Sequence, residues 1–204
     1  NEYVVMLKGV ELTKADVLPG HVLAIDPGTA QRGLIHGVAT KEPAFGLSAL
    51  WVPESTREQA QLAGYTVVDA SSAIATHLSE IIKRHGHELL GRQEVQSLLD
   101  ELAKLHPKLV EELIPTLLPL GTVVRVLGNL LREGIPIRDL RSIIEALADH
   151  AGITKDPELL TEMARQALGR TIVRQYQAPD GTLPVITLDP RLDRDLRPGT
   201  LTPN

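Results

Sequence analysis

The residues best suited to chemistry lie close together in one stretch, THLSEIIKRHGHELLGRQE, at positions 76–94. It holds three histidines and three glutamates: His77, His85, His87, Glu80, Glu88 and Glu94. Imidazole and carboxylate groups at this density could bind a metal ion or carry out general acid–base catalysis. The geometry of the helix that carries these residues distinguishes between the two roles, because it determines which side chains can converge.

Helical geometry argues against a metal centre or a catalytic set in this stretch. A helix is predicted after Asp69, and His77 and His85 fall on or beside its apolar face. His77 and Glu80 form a single i,i+3 pair, whereas zinc requires three or four converging ligands. We therefore predict no metal and no catalytic residue here. Instead, we expect a packed, hydrogen-bonded imidazole at His77 and a partly solvated helix end at Lys83–His85, with the helix ending near Gly86.

Composition excludes several other classes of protein. The 204 residues carry a net charge of −5 and 2% aromatic residues, which argues against a nucleic-acid partner. The absence of cysteine excludes a thiolate nucleophile, a disulfide framework and a cysteine zinc site. We expect no cofactor and no enzymatic activity.

One loop, Asp26–Gly33, keeps a nucleotide-binding hydrolase open as a minor alternative. Gly28 and Gly33 have the first spacing of a phosphate-binding loop, but Leu34 and Ile35 stand where that loop needs Lys and Ser or Thr. A turn-rich loop without nucleotide chemistry is the favoured interpretation.

The first ninety residues alternate short strands with turns and helices, which indicates an α/β unit. Strands are predicted at 3–7, 10–12, 21–26, 47–52 and 65–68. Lys8-Gly9 should form the first turn, Ser55 and Glu58 a capping box for a short helix, and Asp69 the cap of the next helix.

From Gly91 onward the apolar spacing is helical. Helices are predicted at about 95–105, from 107, and at 120–132, 137–150 and 157–176, followed by a strand at 183–189. The apolar stretch 113–131 contains Arg125 and is interpreted as a buried helix rather than a membrane span. The first residues show no signal-peptide pattern. The fold class is therefore α+β: small α/β units, then an all-helical subdomain, then the start of a further α+β subdomain.

Three segments carry a family resemblance: EPAFGLSALWV at 42–52, and the runs at 66–115 and 129–176. They resemble the cytoplasmic domain of the FlhA/LcrD family, the export-gate proteins of bacterial type III secretion. The resemblance implies a first subdomain at 1–20 plus 70–88, an inserted second at 21–69, a helical third at 89–170 and the start of a fourth at 171–204. It also implies that the opening strands of the first subdomain and most of the fourth are missing.

The resemblance implies a docking platform of the flagellar export gate, with the gate of a virulence injectisome as the alternative. Its expected partners are export chaperone–substrate complexes, other export-apparatus components and further copies of itself in a nonameric ring. The expected location is the cytoplasmic side of the bacterial inner membrane, which an N-terminal half outside this chain would span.

The family's chaperone-binding positions correspond to Glu42, Phe45 and Thr76. Phe45 is the only phenylalanine and lies in a loop between Pro43 and Gly46, which favours an interface. Burial of Phe45 in a small core remains open, as do a simply solvated Glu42 and a Thr76 hydroxyl bonded back to its helix.

Overall fold

A tight hairpin opens the chain in the computed structural model, which describes residues 1–31 and 33–185. Strand β1 (Glu2–Leu7) pairs antiparallel with β2 (Val10–Asp16). The turn residues Lys8 and Gly9 have φ angles of 50° and 83°. Two successive positive φ angles are those of the type I′ turn that suits a two-residue hairpin. The first two predicted strands and their turn are confirmed.

A four-stranded antiparallel sheet follows, with the strand order β4-β5-β3-β6. Its strands are β3 (His21–Ile25), β4 (Val38–Lys41), β5 (Ser48–Pro53) and β6 (Thr66–Asp69). The short β4 was not predicted. The α+β class is confirmed, and every pair in this sheet is antiparallel, including β3 with β6.

Alternation along the strands gives the sheet two apolar faces. One cluster contains Val22 and Val52 and packs with Ala60 of the short helix α1 (Arg57–Leu62). The other contains Leu23 and Trp51 and packs with Ala73. The predicted Ser55 capping box is wrong: a 3₁₀ turn, Glu54–Thr56, precedes α1, and no side chain caps it.

Helix α2 (Ala70–Leu89) begins as predicted at Asp69, whose Oδ1 accepts a hydrogen bond from the Ser72 amide at 2.7 Å. The pKa of Asp69 is lowered to about 2, first by the hydrogen bond from the Ser71 hydroxyl and then by those from the Ser72 amide and hydroxyl. The predicted end near Gly86 is wrong, since α2 continues to Leu89. A helix tolerates an interior glycine at a modest loss of stability.

Contacts divide the chain into two compact units, Asn1–Gly91 with Leu131–Gly134, and Arg92–Leu130 with the residues from Ile135 onward. The division into four subdomains stays a prediction. The described residues of the second unit are mainly helical as far as Tyr176. Its helices are α3 (Arg92–Leu105), α4 (Pro107–Glu111), α5 (Leu120–Arg132), α6 (Leu140–His150), α7 (Pro157–Ala167) and α8 (Gly169–Tyr176).

Three predictions for the second unit need correction. The helix predicted at 137–150 begins at Leu140, because Asp139 accepts the Ser142 amide at 3.2 Å and caps it. The helix predicted at 157–176 is two helices that meet at Leu168. Residues 183–185 have no regular structure, and the rest of the predicted strand, 186–189, lies outside the described residues.

The apolar face of α5 is buried, with Val123, Val126, Leu127 and Leu130 all at 0% exposure. This confirms a buried helix for residues 120–131, whereas 113–117 of the predicted stretch belong to a separate π-helical segment, Glu112–Leu117. Within the described part of the chain, no single helix has the length and apolar character to cross a membrane. Helix α4 is continued by this π-helical segment. The combined segment, Pro107–Leu117, and α5 meet those criteria only as a pair, which is bent by 109°.

Candidate functional site

The three residues singled out by the resemblance line one pocket in the first unit, which we call the α2 groove. Its volume is about 300 Å³. Its lining is mainly apolar: Ile25, Pro27, Glu42, Phe45, Leu47, Thr66, Val68, Ala73 and Thr76. The structure thus brings Glu42, Phe45 and Thr76 together, although Thr76 lies more than thirty residues from the other two in sequence.

Glu42 is the structural anchor of the loop that forms one rim of the groove. It is 4% exposed, and its two carboxylate oxygens accept the amides of Ala44 at 2.8 Å and of Phe45 at 2.7 Å. The amide of Gly46, at a φ of 73°, donates to the Glu42 carbonyl at 2.9 Å and closes the turn. The alternative of a simply solvated Glu42 is therefore wrong.

Phe45 points away from the core. Its side chain is 58% exposed and neighbours Leu47, which is 45% exposed. The alternative in which Phe45 fills a small core is therefore wrong. A large ring held at the surface by a buried carboxylate is available for contact with another molecule.

The floor of the groove is part of the sheet's packed core. Ile25 and Val68 pack against the cluster of Leu23, Trp51 and Ala73. Trp51 is 3% exposed and is the only tryptophan in the chain. Because close-packed cores resist deformation, the floor is a fixed surface against which a ligand can pack.

Thr76 forms the opposite rim, on α2. It is exposed, and its hydroxyl makes no hydrogen bond within residues 1–31 and 33–185. Three residues on, the Ser79 hydroxyl does bond back to the helix, at the Ala75 carbonyl, at 2.8 Å. The predicted alternative of a back-bonded Thr76 is not what the structure shows.

Behind the Glu42 loop lies a second, polar cavity of about 220 Å³, which we call the Arg84 cavity. Its lining residues are Leu12, Thr13, Pro43, Ala44, His77, Glu80, Ile81, Arg84 and His85. Arg84 donates from Nη2 to the Ala44 carbonyl at 3.2 Å, so α2 also holds the loop. Sequence reasoning missed this contact, since Arg84 was expected only at a solvated helix end.

His77 is packed and hydrogen-bonded, as predicted. It is 4% exposed, and its Nδ1 shares a hydrogen bond with the Tyr3 hydroxyl at 2.6 Å. Burial lowers the pKa of His77; the charge of Glu42 opposes this shift and that of Arg84 adds to it. Burial first and the charge of Glu42 second raise the pKa of Tyr3.

The remaining histidines do not form a metal-binding set. His85 pairs with Glu88 at 2.7 Å, and this hydrogen bond lowers the pKa of Glu88. Within the described residues, no three His, Cys, Asp or Glu side chains converge closely enough to hold a metal ion.

The Asp26 loop uses its own amides to hold itself together. The Asp26 carboxylate accepts the amides of Gly28 at 2.8 Å and Ala30 at 3.4 Å, and the Gln31 amide donates to the Ala63 carbonyl at 2.8 Å. Amides engaged in this way are not free to cradle a phosphate. The minor hydrolase alternative gains no support from this loop.

The fold is that of the cytosolic domains of type III secretion proteins. The Chlamydia pneumoniae CdsV protein aligns with a TM-score of 0.80 and 30% identity, over 95% of this chain and 60% of that one. The nonameric EscV cytosolic domain from the type III secretion system aligns with a TM-score of 0.60 and 25% identity, over 84% of this chain and 51% of that one.

The sequence identifies the family more narrowly. The pattern of the FHIPEP family matches residues 1–202, and the chain belongs to that family. It is 50% identical over 192 residues to the flagellar biosynthesis protein FlhA of Escherichia coli K12. That match covers 94% of this chain but 28% of the relative, so the chain spans somewhat more than a quarter of that protein's length.

Proposed function

We propose that this chain is a docking platform of the bacterial flagellar type III protein export gate and that it binds export chaperone–substrate complexes in the α2 groove. The observation that carries the proposal is the exposed Phe45 ring, held in place from below by the buried carboxylate of Glu42. Large aromatic side chains on preorganised loops are frequent anchors of protein interfaces, because little conformational entropy is lost when they bind.

The flagellar branch is favoured over the injectisome branch by sequence. Identity is 50% to the flagellar FlhA of E. coli and 30% to CdsV. An injectisome platform remains the second candidate, supported by the fold that the chain shares with CdsV and EscV.

Assembly and location are part of the proposal. The EscV cytosolic domain was solved as a nonamer, which supports a homo-oligomeric ring for the whole protein to which this chain corresponds. We place the platform on the cytoplasmic side of the inner membrane, attached through a membrane half outside this chain. Its other partners would be components of the export apparatus.

The platform acts by binding and performs no chemical step. The groove is mostly apolar, and its one carboxylate is that of Glu42. Both oxygens of this carboxylate accept hydrogen bonds from loop amides. A general acid or base needs an oxygen that can reach the substrate, and Glu42 offers none in this arrangement.

Site-specific crosslinking tests the location of binding. A photoreactive amino acid at position 76, on the groove rim, should crosslink to a purified flagellar chaperone–substrate complex. The same amino acid at position 62 is the control, because Leu62 is 88% exposed but lies outside the groove lining. Equal crosslinking from both positions, or none from position 76, would contradict docking in the α2 groove.

A further inference from the structure

One stripe of helix α2 serves both cavities of the first unit. The α2 groove is lined from Ala73 and Thr76, and the Arg84 cavity from 77, 80, 81, 84 and 85. Their spacing of three and four residues places all seven on one side of the helix. The Glu42 loop also serves both, with Phe45 in the groove and Ala44 in the cavity. A partner lying along this stripe can contact both cavities.

The Arg84 guanidinium is a cation without a carboxylate partner among the described residues. Its hydrogen bond goes to a backbone carbonyl, that of Ala44. Three carboxylates that could pair with Arg84 are already engaged: Glu42 of the loop with its amides, Glu80 of the cavity with Lys83 at 2.5 Å, and Glu88, four residues on along α2, with His85 at 2.7 Å. A guanidinium has five N–H donors, so Arg84 keeps donors for a further acceptor.

The distance between the two ends of the stripe sets the spacing that a partner must match. Thr76 and Arg84 are eight residues apart on α2. At about 1.5 Å of rise per residue, the two positions are separated by about 12 Å along the helix. A partner helix of the same rise spans this distance in about eight residues.

We propose that the docked partner carries a carboxylate that pairs with Arg84, about 12 Å along α2 from the apolar side chain that it packs into the α2 groove beside Thr76. This rests on the proposed docking function and adds the chemistry of the partner. The charge is informative because this chain has a net charge of −5, which repels an acidic partner everywhere except near local cations. The Arg84–carboxylate pair would therefore set orientation and specificity more than total affinity.

Salt dependence separates this charge role from the contact of Arg84 with the loop. We expect Arg84→Gln to weaken binding of a chaperone–substrate complex about two- to fivefold at low salt, the range of a solvent-exposed ion pair. The loss should shrink as salt is added, because screening weakens the pair in the unmodified chain. Loosening of the Glu42 loop alone would weaken binding equally at every salt concentration.

Lys155→Gln is the matched control, since it removes the same charge from an exposed residue that lines neither cavity. It should leave both the affinity and its salt dependence nearly unchanged. An equal salt-dependent loss in the two variants would overturn the proposal, because it would reflect net charge rather than the position of Arg84.

A pair of designed peptides tests the charge without any natural partner. Both are constrained helices with a phenylalanine, and the residue eight positions later is glutamate in one and lysine in the other. We expect tighter binding of the glutamate peptide to the unmodified chain and of the lysine peptide to Arg84→Glu. Equal affinities, or no binding of either, would overturn the proposal.

The chaperone-binding measurements and the peptide measurements together distinguish failure of the proposed docking function from failure of the carboxylate proposal. If the unmodified chain binds no chaperone–substrate complex, the proposed function fails, while the peptide preference still decides the charge at Arg84. If the complex binds and Phe45→Ala abolishes binding but Arg84→Gln has no salt-dependent effect, the docking function stands and the carboxylate proposal fails.

Discussion

Glu42 and Phe45 are joined by one hydrogen bond, in which the Phe45 amide donates to Glu42 Oε2 at 2.7 Å. The carboxylate is buried at 4% exposure, and the ring that it positions is 58% exposed. A residue expected to touch a partner thus acts from beneath the loop instead, and its neighbour supplies the contact surface. In this arrangement, changes at Glu42 alter docking through the conformation of the loop.

Glu42→Gln should lower both stability and docking. The glutamine side chain keeps one oxygen, but its NH₂ group would face one of the two amides and leave that donor unsatisfied. A buried unsatisfied donor costs about 1–3 kcal/mol. Thermal or urea unfolding measures the stability change, and titration with a chaperone–substrate complex measures docking. Glu58→Gln, at an exposed position on α1, is the control and should change neither. Unchanged stability in Glu42→Gln would show that the loop does not depend on this carboxylate.

Local signals in the sequence predicted local structure well. The Lys8-Gly9 turn and the Asp69 cap follow from the chemistry of adjacent residues, and the structure confirms both. The break at Leu168 was missed although Gly169 offered a signal, since glycine weakens a helix interior. The missed strand β4 has only four residues and carries no alternating pattern strong enough to detect.

The candidate site was predictable only in part. The resemblance supplied Glu42, Phe45 and Thr76, but not the division of work between a buried anchor and an exposed ring. That division depends on which amides a carboxylate meets after folding. The Tyr3–His77 bond joins residues 74 positions apart, and the Arg84–Ala44 bond residues 40 apart. No local sequence pattern encodes contacts of this separation.

Gly37→Ala should destabilise the first unit. A Cβ atom at this position would overlap the Trp51 carbonyl oxygen and lie 2.8 Å from Val52 Cγ1. Overpacking of this kind costs about 1–3 kcal/mol. Denaturant unfolding followed by the fluorescence of Trp51 measures the change.

Gly86→Ala is the matched comparison, and it should raise the free energy of unfolding where Gly37→Ala lowers it. A Cβ atom there has nothing within 4 Å, and the position is inside α2. Alanine should stabilise the helix by about 0.5–1 kcal/mol. Destabilisation by Gly86→Ala, or no effect of Gly37→Ala, would contradict the open space described at Gly86 and the close packing described at Gly37.

His77 should make stability depend on pH. Because burial lowers its pKa below the ordinary value of 6.5, protons bind the unfolded chain more tightly than the folded one. Neutral His77 therefore contributes its full stabilisation of the fold when the pH is above the ordinary pKa of 6.5. That stabilisation is lost as the pH falls through the lowered pKa of the folded state. Melting temperatures measured from about pH 7 down to about pH 5 should decline, and His77→Gln should reduce the decline. His36→Gln, at an exposed position, should keep the full pH dependence. The same pH dependence in His77→Gln and the unmodified chain would rule out this role.

The most direct measurement is the affinity of the Phe45→Ala variant for a flagellar chaperone–substrate complex, taken together with its melting temperature. An interface anchor of this type contributes about 2 kcal/mol or more, so affinity should fall about thirtyfold or further. The melting temperature should stay nearly unchanged, because the ring is 58% exposed. Leu62→Ala, which removes an apolar side chain outside the groove, should alter neither quantity. Undiminished affinity in Phe45→Ala, or a loss of affinity matched by a large fall in melting temperature, would contradict docking through Phe45.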